Sequence, residues 1–283
     1  MIYKNILDLI GNTPIIQYED IFIKLEQFNP TGSIKDRVAL KMIEELESLN
    51  KINKNSTVIE VTSGNTGIAI AMICAIKRYK CIIILLDNVE EEKLTVLKAY
   101  GAKIIKVPKK KGLKGCIKIA KKLEKKEGFV FLNQFSNPFN PLAHLKTSSE
   151  IIKEFSSLDY LVCGVGSGGT ISMLSKELKK YYPALKVIGV LPKEEKHLIS
   201  GIGAGFTPNT LDKDAIDYYE YVLSNDVIKT FKEVTNKGLL LGLSSIASLI
   251  VAKKIKEENK NSIVLMISAD NGSKYLSKMI NIV

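Results

Sequence analysis

Asn29-Pro30-Thr31-Gly32-Ser33-Ile34-Lys35-Asp36-Arg37 joins a strand-like run, Ile21-Phe22-Ile23-Lys24-Leu25, to a segment of helical periodicity that starts near Asp36. Pro30 and Gly32 mark a turn, and Ser33 followed three residues later by Asp36 has the form of a helix N-cap. Lys35 therefore sits at a helix mouth, where the helix dipole disfavours an ammonium. A lysine in that position is a candidate to form an imine through its amine. The position also suits an ordinary surface lysine, of which the chain has many, so the rest of the sequence has to decide.

Outward from this stretch, short strand-like runs alternate with helical patterns, which argues for an α/β fold with parallel sheets. The expected strands are 21–25, 57–61, 81–86, 103–107, 129–132, 159–163, 187–191 and 262–267. The expected helices are 36–49, 65–78, 91–100, 113–126, 142–155, 169–181, 226–237 and 244–257. No internal repeat or low-complexity linker interrupts the alternation. With 283 residues, 46% of them hydrophobic, the chain can bury a large core and is at the size where one core tends to split into two.

Composition excludes several classes. The longest apolar run, 68–76, is far too short to cross a bilayer. Nothing at the start reads as a signal peptide. Cys74, Cys81, Cys116 and Cys163 lack metal-ligand spacing, and two histidines are too few for most metal sites, so reduced thiols in a cytoplasmic protein are expected. The formal charge of +11 is almost entirely lysine, since Arg37 and Arg78 are the only arginines. Nucleic-acid readers favour arginine interleaved with aromatics, and no such cluster occurs. The densest basic run, Lys109-Lys110-Lys111 with Lys114, reads as a solvated loop and helix face. Neither nucleic acid nor membrane is an expected partner.

Six further stretches carry a resemblance: Ile10-Gly11-Asn12-Thr13-Pro14, Thr62-Ser63-Gly64-Asn65-Thr66-Gly67, Gln134-Phe135-Ser136-Asn137-Pro138, Gly166-Ser167-Gly168-Gly169-Thr170, Gly201-Ile202-Gly203-Ala204-Gly205-Phe206 and Gly242-Leu243-Ser244-Ser245. In this order, with Asn29–Arg37, the chain resembles the cysteine synthase (O-acetylserine sulfhydrylase) family, pyridoxal-phosphate enzymes of the tryptophan-synthase-β fold type. The resemblance implies two domains, each a twisted, mostly parallel sheet flanked by helices, with the cofactor in the cleft between them. It places a large cofactor-binding domain at 1–39 and 138–283 and a small mobile domain at 40–137.

The resemblance also implies roles. Lys35 would hold the cofactor as an imine and shuttle the Cα proton. Thr62, Ser63, Gly64, Asn65 and Thr66, with Gln134 and Gly201, would hold the substrate, and Asn65 would also meet the 3′-oxygen of the cofactor. Read without the family, 62–67 is equally a strand-to-helix turn capped by Asn65, and Gln134 lies in a polar loop. Gly166, Ser167, Gly168, Gly169 and Thr170 follow a strand and open a helix, which suits a phosphate. The third glycine of a dinucleotide fingerprint and the Gly-Lys-Ser/Thr of a Walker loop are both absent, and the monophosphate of pyridoxal phosphate is the best fit.

Departures from the family's pattern at Val89-Glu90, at Asn271 and at Ile246, where a glycine is usual, bear on chemistry, and a fourth bears on a helix start. Where the family has a Met-Pro-x-x-Met-Ser-x-Glu-Arg pattern, this chain has Leu85–Lys93, so Val89 and Glu90 stand where the Met-Ser pair faces the reacting end of the substrate. Acidic residues also favour a first helical turn, so Glu90 equally reads as a helix-start residue. Asn271 replaces the serine that meets the pyridine nitrogen, and its amide can donate as the hydroxyl does. Asp270 would protonate the ring if it turned inward instead. The family's Thr-Thr-Gly-Pro-Glu-Ile is shortened to Thr147-Ser148-Ser149-Glu150-Ile151, which leaves the local helix start open, with His144 read as structural.

The expected activity is β-replacement on a β-substituted L-alanine through an aminoacrylate, with cysteine synthesis from O-acetyl-L-serine and sulfide as the leading case. The alternative is an L-cysteine β-lyase or thiol-replacing enzyme that forms serine or lanthionine and releases hydrogen sulfide. A non-catalytic binding partner of serine acetyltransferase would be expected to have lost Lys35 or the phosphate loop, and both are present. The resemblance implies a homodimer and raises serine acetyltransferase as a possible partner.

Overall fold

The computed structural model describes residues 2–279. Its ten strands, in chain order, are β1 (Ile15–Tyr18), β2 (Ile21–Leu25), β3 (Thr57–Val61), β4 (Lys80–Leu86), β5 (Lys103–Val107), β6 (Phe129–Phe131), β7 (Tyr160–Gly164), β8 (Lys186–Pro192), β9 (Tyr218–Val222) and β10 (Val264–Ser268). They form a four-stranded sheet, β5-β4-β3-β6, and a six-stranded sheet, β1-β2-β10-β7-β8-β9. The chain divides into two compact units, one built on Lys35–Ala143 with the residues through Asp8, the other on Leu9–Ile34 with His144 onward.

In the first unit every strand pair is parallel. Helices α2 (Asn65–Lys77), α3 (Glu91–Ala99) and α4 (Gly112–Glu124) connect its strands, α1 (Lys35–Ser48) packs on α2, and a single turn, α5 (Phe139–Leu142), packs on α1. A parallel sheet covered on both faces reads as continuous apolar sequence. That is why β3 is buried at all five positions and Cys81–Leu85 of β4 has no polar alternation. Helix α2 is buried from Thr66 to Cys74, as its nearly uninterrupted apolar run requires.

In the second unit the β1–β2 hairpin is antiparallel and the other strand pairs are parallel. Helices α6 (Leu145–Glu154), α7 (Gly169–Leu178), α8 (Ser224–Thr235), α9 (Leu243–Glu258) and α10 (Leu276–Met279) complete it. Successive strand residues enter opposite cores, as a pleated strand dictates. Val162, Ile188 and Met266 join α8 and α9 on one face, while Leu161, Val187 and Leu265 join α7 on the other.

The structure adds β1 and β9 to the eight strands expected. Both lie at edges of the six-stranded sheet, where half-exposed positions erase the apolar signal; β9 reads Tyr218-Tyr219-Glu220-Tyr221-Val222. The β1–β2 turn is made by Glu19 at φ +52°, without a glycine to announce it. The helix expected at 142–155 starts at Leu145, directly after His144. Among the described residues, no helix is long and apolar enough to cross a membrane.

Lys24 and Glu150 form a buried ion pair in the second unit. Lys24 Nζ donates to the Thr13 carbonyl and to Glu150 Oε2, each at 2.7 Å, and Glu150 Oε1 accepts from the Asn12 amide at 2.9 Å. The pair ties the Ile10–Pro14 stretch to α6, with Lys24 only 1% exposed. Removing one partner leaves a buried charge, so Glu150→Ala should cost about 3–5 kcal/mol in denaturant unfolding. The double variant Lys24→Met/Glu150→Leu should recover most of that loss.

Candidate active site

The approach to Lys35 is held by backbone and side-chain hydrogen bonds of the second unit. Asn29 Oδ1 accepts from the Gly11 amide at 2.8 Å, and its Nδ2 donates to the carbonyl and carboxylate of Glu26 at 2.8 and 2.9 Å. The Gly32 amide closes the turn onto the Asn29 carbonyl at 2.7 Å. Gly32 sits at φ +76°, where a side chain would be strained and would also crowd Lys274 Cε at 3.3 Å. Lys274 Nζ in turn donates to the Thr31 carbonyl at 2.7 Å. Ser33 forms an isolated antiparallel bridge with Asp270, and the Ile34 amide donates to the Ala269 carbonyl at 2.9 Å. Lys35 is the next residue, half-buried, and opens α1.

The glycine loop after β7 lies in the same unit as this turn. A Cβ on Gly166 would fall 2.3 Å from the Gly201 carbonyl oxygen, so the two loops touch through backbone. Thr210 Oγ1 donates to the Ser167 carbonyl at 2.6 Å and Ser172 Oγ to the Gly168 carbonyl at 2.8 Å. The loop's carbonyls are thus engaged from behind, while the amides at the start of α7 have no intrahelical acceptor. Buried His144 bonds through Nε2 to Thr170 Oγ1 at 3.0 Å and through Nδ1 to Thr147 Oγ1 at 3.3 Å. The helix-start amides of this loop form a donor set that fits a phosphate monoester.

The tail of β10 completes this group. Asp270 is buried, accepts a hydrogen bond from the Tyr275 hydroxyl, and lies so close to Gly242 that a Cβ there would fall 1.8 Å from Oδ1. Its carboxyl is therefore packed against Tyr275 and the Gly242 backbone. Asn271 Oδ1 accepts from the Ser273 amide at 2.8 Å, which leaves its N–H2 as the group it can offer a ligand. A donor there fits the unprotonated nitrogen of a pyridine ring.

In the first unit, β3 runs into 62–67, and α2 begins at Asn65 with Gly64 extended before it. The Gly64 amide donates to Thr62 Oγ1 at 3.1 Å. Thr66 Oγ1 donates to Gln134 Oε1 at 2.7 Å, and Asn140 Nδ2 donates to the Gln134 carbonyl at 2.6 Å. The structure thus brings Thr62–Thr66 and Gln134 into one cluster. Gln134 Nε2 is the part of that side chain left to face a ligand. Glu90 stands at the start of α3 and pairs with Lys93 at 3.1 Å, with Val89 half-buried beside it.

Sequence reasoning missed Glu60. It is 1% exposed in β3; Oε1 accepts from the Val61 amide at 2.8 Å and Oε2 from the Gln134 amide at 3.2 Å. Full burial pushes its carboxyl up to about 8, against the opposing pull of the two amides. The signal was a lone acid inside Thr57-Val58-Ile59-Glu60-Val61. A carboxyl raised in the folded state binds its proton more tightly there than in the unfolded chain. Its contribution to stability is full below about 4.5 and is lost as pH rises through about 8. Denaturant unfolding of wild type should therefore weaken over that window by a few kcal/mol more than that of Glu60→Gln.

A family model described as pyridoxal-phosphate dependent enzyme matches residues 6–269. A cysteine synthase of Staphylococcus aureus is 38% identical over 295 aligned positions, covering 96% of this chain and 95% of the relative. A hydrogen sulfide-producing enzyme from Fusobacterium nucleatum superposes with TM-score 0.92 at 36% identity, covering 97% of this chain and 100% of that one. A cysteine synthase from Entamoeba histolytica superposes with TM-score 0.96 at 32% identity, covering 100% and 92%.

Proposed function

Because the chain belongs to the pyridoxal-phosphate-dependent enzymes, we propose that it carries out β-replacement on a β-substituted L-alanine, with Lys35 as the residue that moves the Cα proton. The observation that carries this reading is the donor set of the second unit: the Gly166–Thr170 loop for a phosphate and the remaining N–H2 of Asn271 for a ring nitrogen. Pyridoxal phosphate, when bound, supplies the electron sink for the Cα–H bonding pair.

The rest is done by the chain. Lys35 Nζ would hold the cofactor, and its amine takes the Cα proton and later returns it to Cα. The Cβ substituent leaves with its bonding pair, and a nucleophile supplies the pair that replaces it. Thr62, Ser63, Gly64, Asn65 and Thr66 with Gln134 Nε2 bind the substrate carboxylate, and Gly201 lines the site. Asn271 would be a neutral partner for the ring nitrogen, which would leave the ring unprotonated and a weaker sink. That favours loss of the β-group over transamination. In this reading the domain at 40–137 carries the carboxylate loops, and 1–39 with 138–283 carries the phosphate loop and Asn271. The assembly proposed is a cytoplasmic homodimer that can receive serine acetyltransferase.

Cysteine formation from O-acetyl-L-serine and sulfide is the leading reaction. A second reading, release of hydrogen sulfide from L-cysteine, is favoured by the likeness to the Fusobacterium nucleatum enzyme and by Val89-Glu90. Valine in place of methionine opens space near Cβ. If Glu90 turns from Lys93 towards Cβ, its carboxylate would repel hydrosulfide and its acid form could assist a departing thiolate. The deciding experiment compares kcat/KM for O-acetyl-L-serine plus sulfide with that for L-cysteine. If the second reading holds, L-cysteine is the better first substrate, and Glu90→Ser lowers sulfide release by about tenfold or more. A wide margin for O-acetyl-L-serine in both proteins makes Glu90 a helix-start residue and the protein a cysteine synthase.

A further inference from the structure

We propose that Glu60 is the positioning residue of the substrate-carboxylate site, holding Gln134 in place by accepting its buried backbone amide on one carboxyl oxygen and the Val61 amide on the other. The proposal rests on the reading of Thr62–Thr66 and Gln134 as carboxylate ligands. Strand β6 pairs with β3 as far as Leu132, whose amide donates to the Ile59 carbonyl at 3.0 Å. Asn133 then takes φ +51° and turns the chain off the ladder. The next amide, that of Gln134, would be left in a buried position without a strand to pair with. Glu60 Oε2 accepts it, and Oε1 accepts the Val61 amide at the end of β3.

A carboxyl is suited to this task for a specific reason. Both of its oxygens can accept an N–H whether or not the group is ionised, whereas a glutamine amide has one acceptor and would turn N–H2 against the other amide. Gln134 is thereby fixed at its amide by Glu60, at its carbonyl by Asn140 and at Oε1 by Thr66. What it presents beyond these is Nε2.

The charge state follows from the surroundings. The elements packed on β3 are β4, β6, α2 and α4. Their titratable groups are Lys80 and Cys81 on β4, Cys74 and Lys77 on α2, and Cys116, Glu124 and four exposed lysines (Lys114, Lys118, Lys121, Lys122) on α4; β6 has none. Lys77 is paired with Glu47 at 2.8 Å, and the three thiols are buried. None of these groups is among the causes of the shift at Glu60, which are burial and the two amides. A bound carboxylate adds a like charge one residue away, on Gln134, and makes ionisation of Glu60 harder still. Substrate binding and protonation of Glu60 are therefore linked. Affinity for the amino acid falls once pH exceeds about 8.

The test uses the holoenzyme and L-alanine, which has the carboxylate and amine but no β-leaving group. Calorimetric Kd values are measured from neutral pH to about one unit above 8 for wild type and Glu60→Gln. The wild-type Kd should rise by up to about tenfold more than the variant's over the last unit. The variant should bind about threefold to tenfold more weakly at neutral pH, the scale of one lost positioning hydrogen bond. In turnover its loss should fall on KM. A carboxyl-¹³C glutamate spectrum of the wild type decides the matter even if the variant folds poorly: one carboxyl should titrate near 8 and move to higher pH when L-alanine is added. Parallel Kd profiles, or a Glu60 carboxyl unmoved by L-alanine, overturn the proposal. Failure of the β-replacement reading would show differently, as absence of turnover with the link between Glu60 and L-alanine intact.

Discussion

The hydrogen bond from the Ile34 amide to the Ala269 carbonyl fixes where the chain leaves the second unit, one residue before Lys35. The Ser33–Asp270 bridge, the Lys274 ammonium on the Thr31 carbonyl and the Asn29 side chain all serve the same turn. A turn of Pro30 and Gly32 alone would leave the lysine backbone free to wander, since loop order has to outweigh about 1–2 kcal/mol of conformational entropy per residue. Anchoring it to the end of a buried strand gives Lys35 a defined origin. The same strand end then supplies Asn271 two residues further on.

The placement of the other motifs follows from parallel-sheet geometry. In open α/β sheets ligands gather beyond the carboxyl ends of the strands. In the second unit those ends lead to the Gly166–Thr170 loop after β7 and to Asn271 after β10. In the first they lead to Thr62–Thr66 after β3, Val89-Glu90 after β4 and Gln134 after β6. Each loop opens a helix or leaves a strand, so backbone amides there lack regular partners. What distinguishes a binding loop from a defect is that its carbonyls are satisfied from behind. Thr210, Ser172 and Asn140 do this with side chains from elsewhere in the same unit.

Glycine made much of this legible in the sequence. Gly166, Gly168 and Gly242 stand where a Cβ would meet backbone or side-chain atoms below 3 Å, so the motif and the steric constraint are the same fact. The interior strands were legible as short continuous apolar runs, and helices such as α4 and α8 by their periodic apolar faces. Strands β1 and β9 were not, because an edge strand exposes half of what it shows. Glu60 showed only as a lone acid in an apolar strand, and His144 and Thr210 left no local mark as functional residues. Each acts by hydrogen-bonding a residue 26 to 74 positions away, and an isolated acid or histidine in sequence does not reveal its partner. The packing of Asp270 against Tyr275 and Gly242 likewise depends on tertiary contact.

Reduction of the purified holoenzyme with borohydride, followed by peptide mapping, tests the central claim most directly. The cofactor should be fixed on the peptide that contains Lys35, and the 283-residue chain should retain it at no other of its 39 lysines. Cofactor fixed on a different lysine, with Lys35 unmodified, would contradict the account.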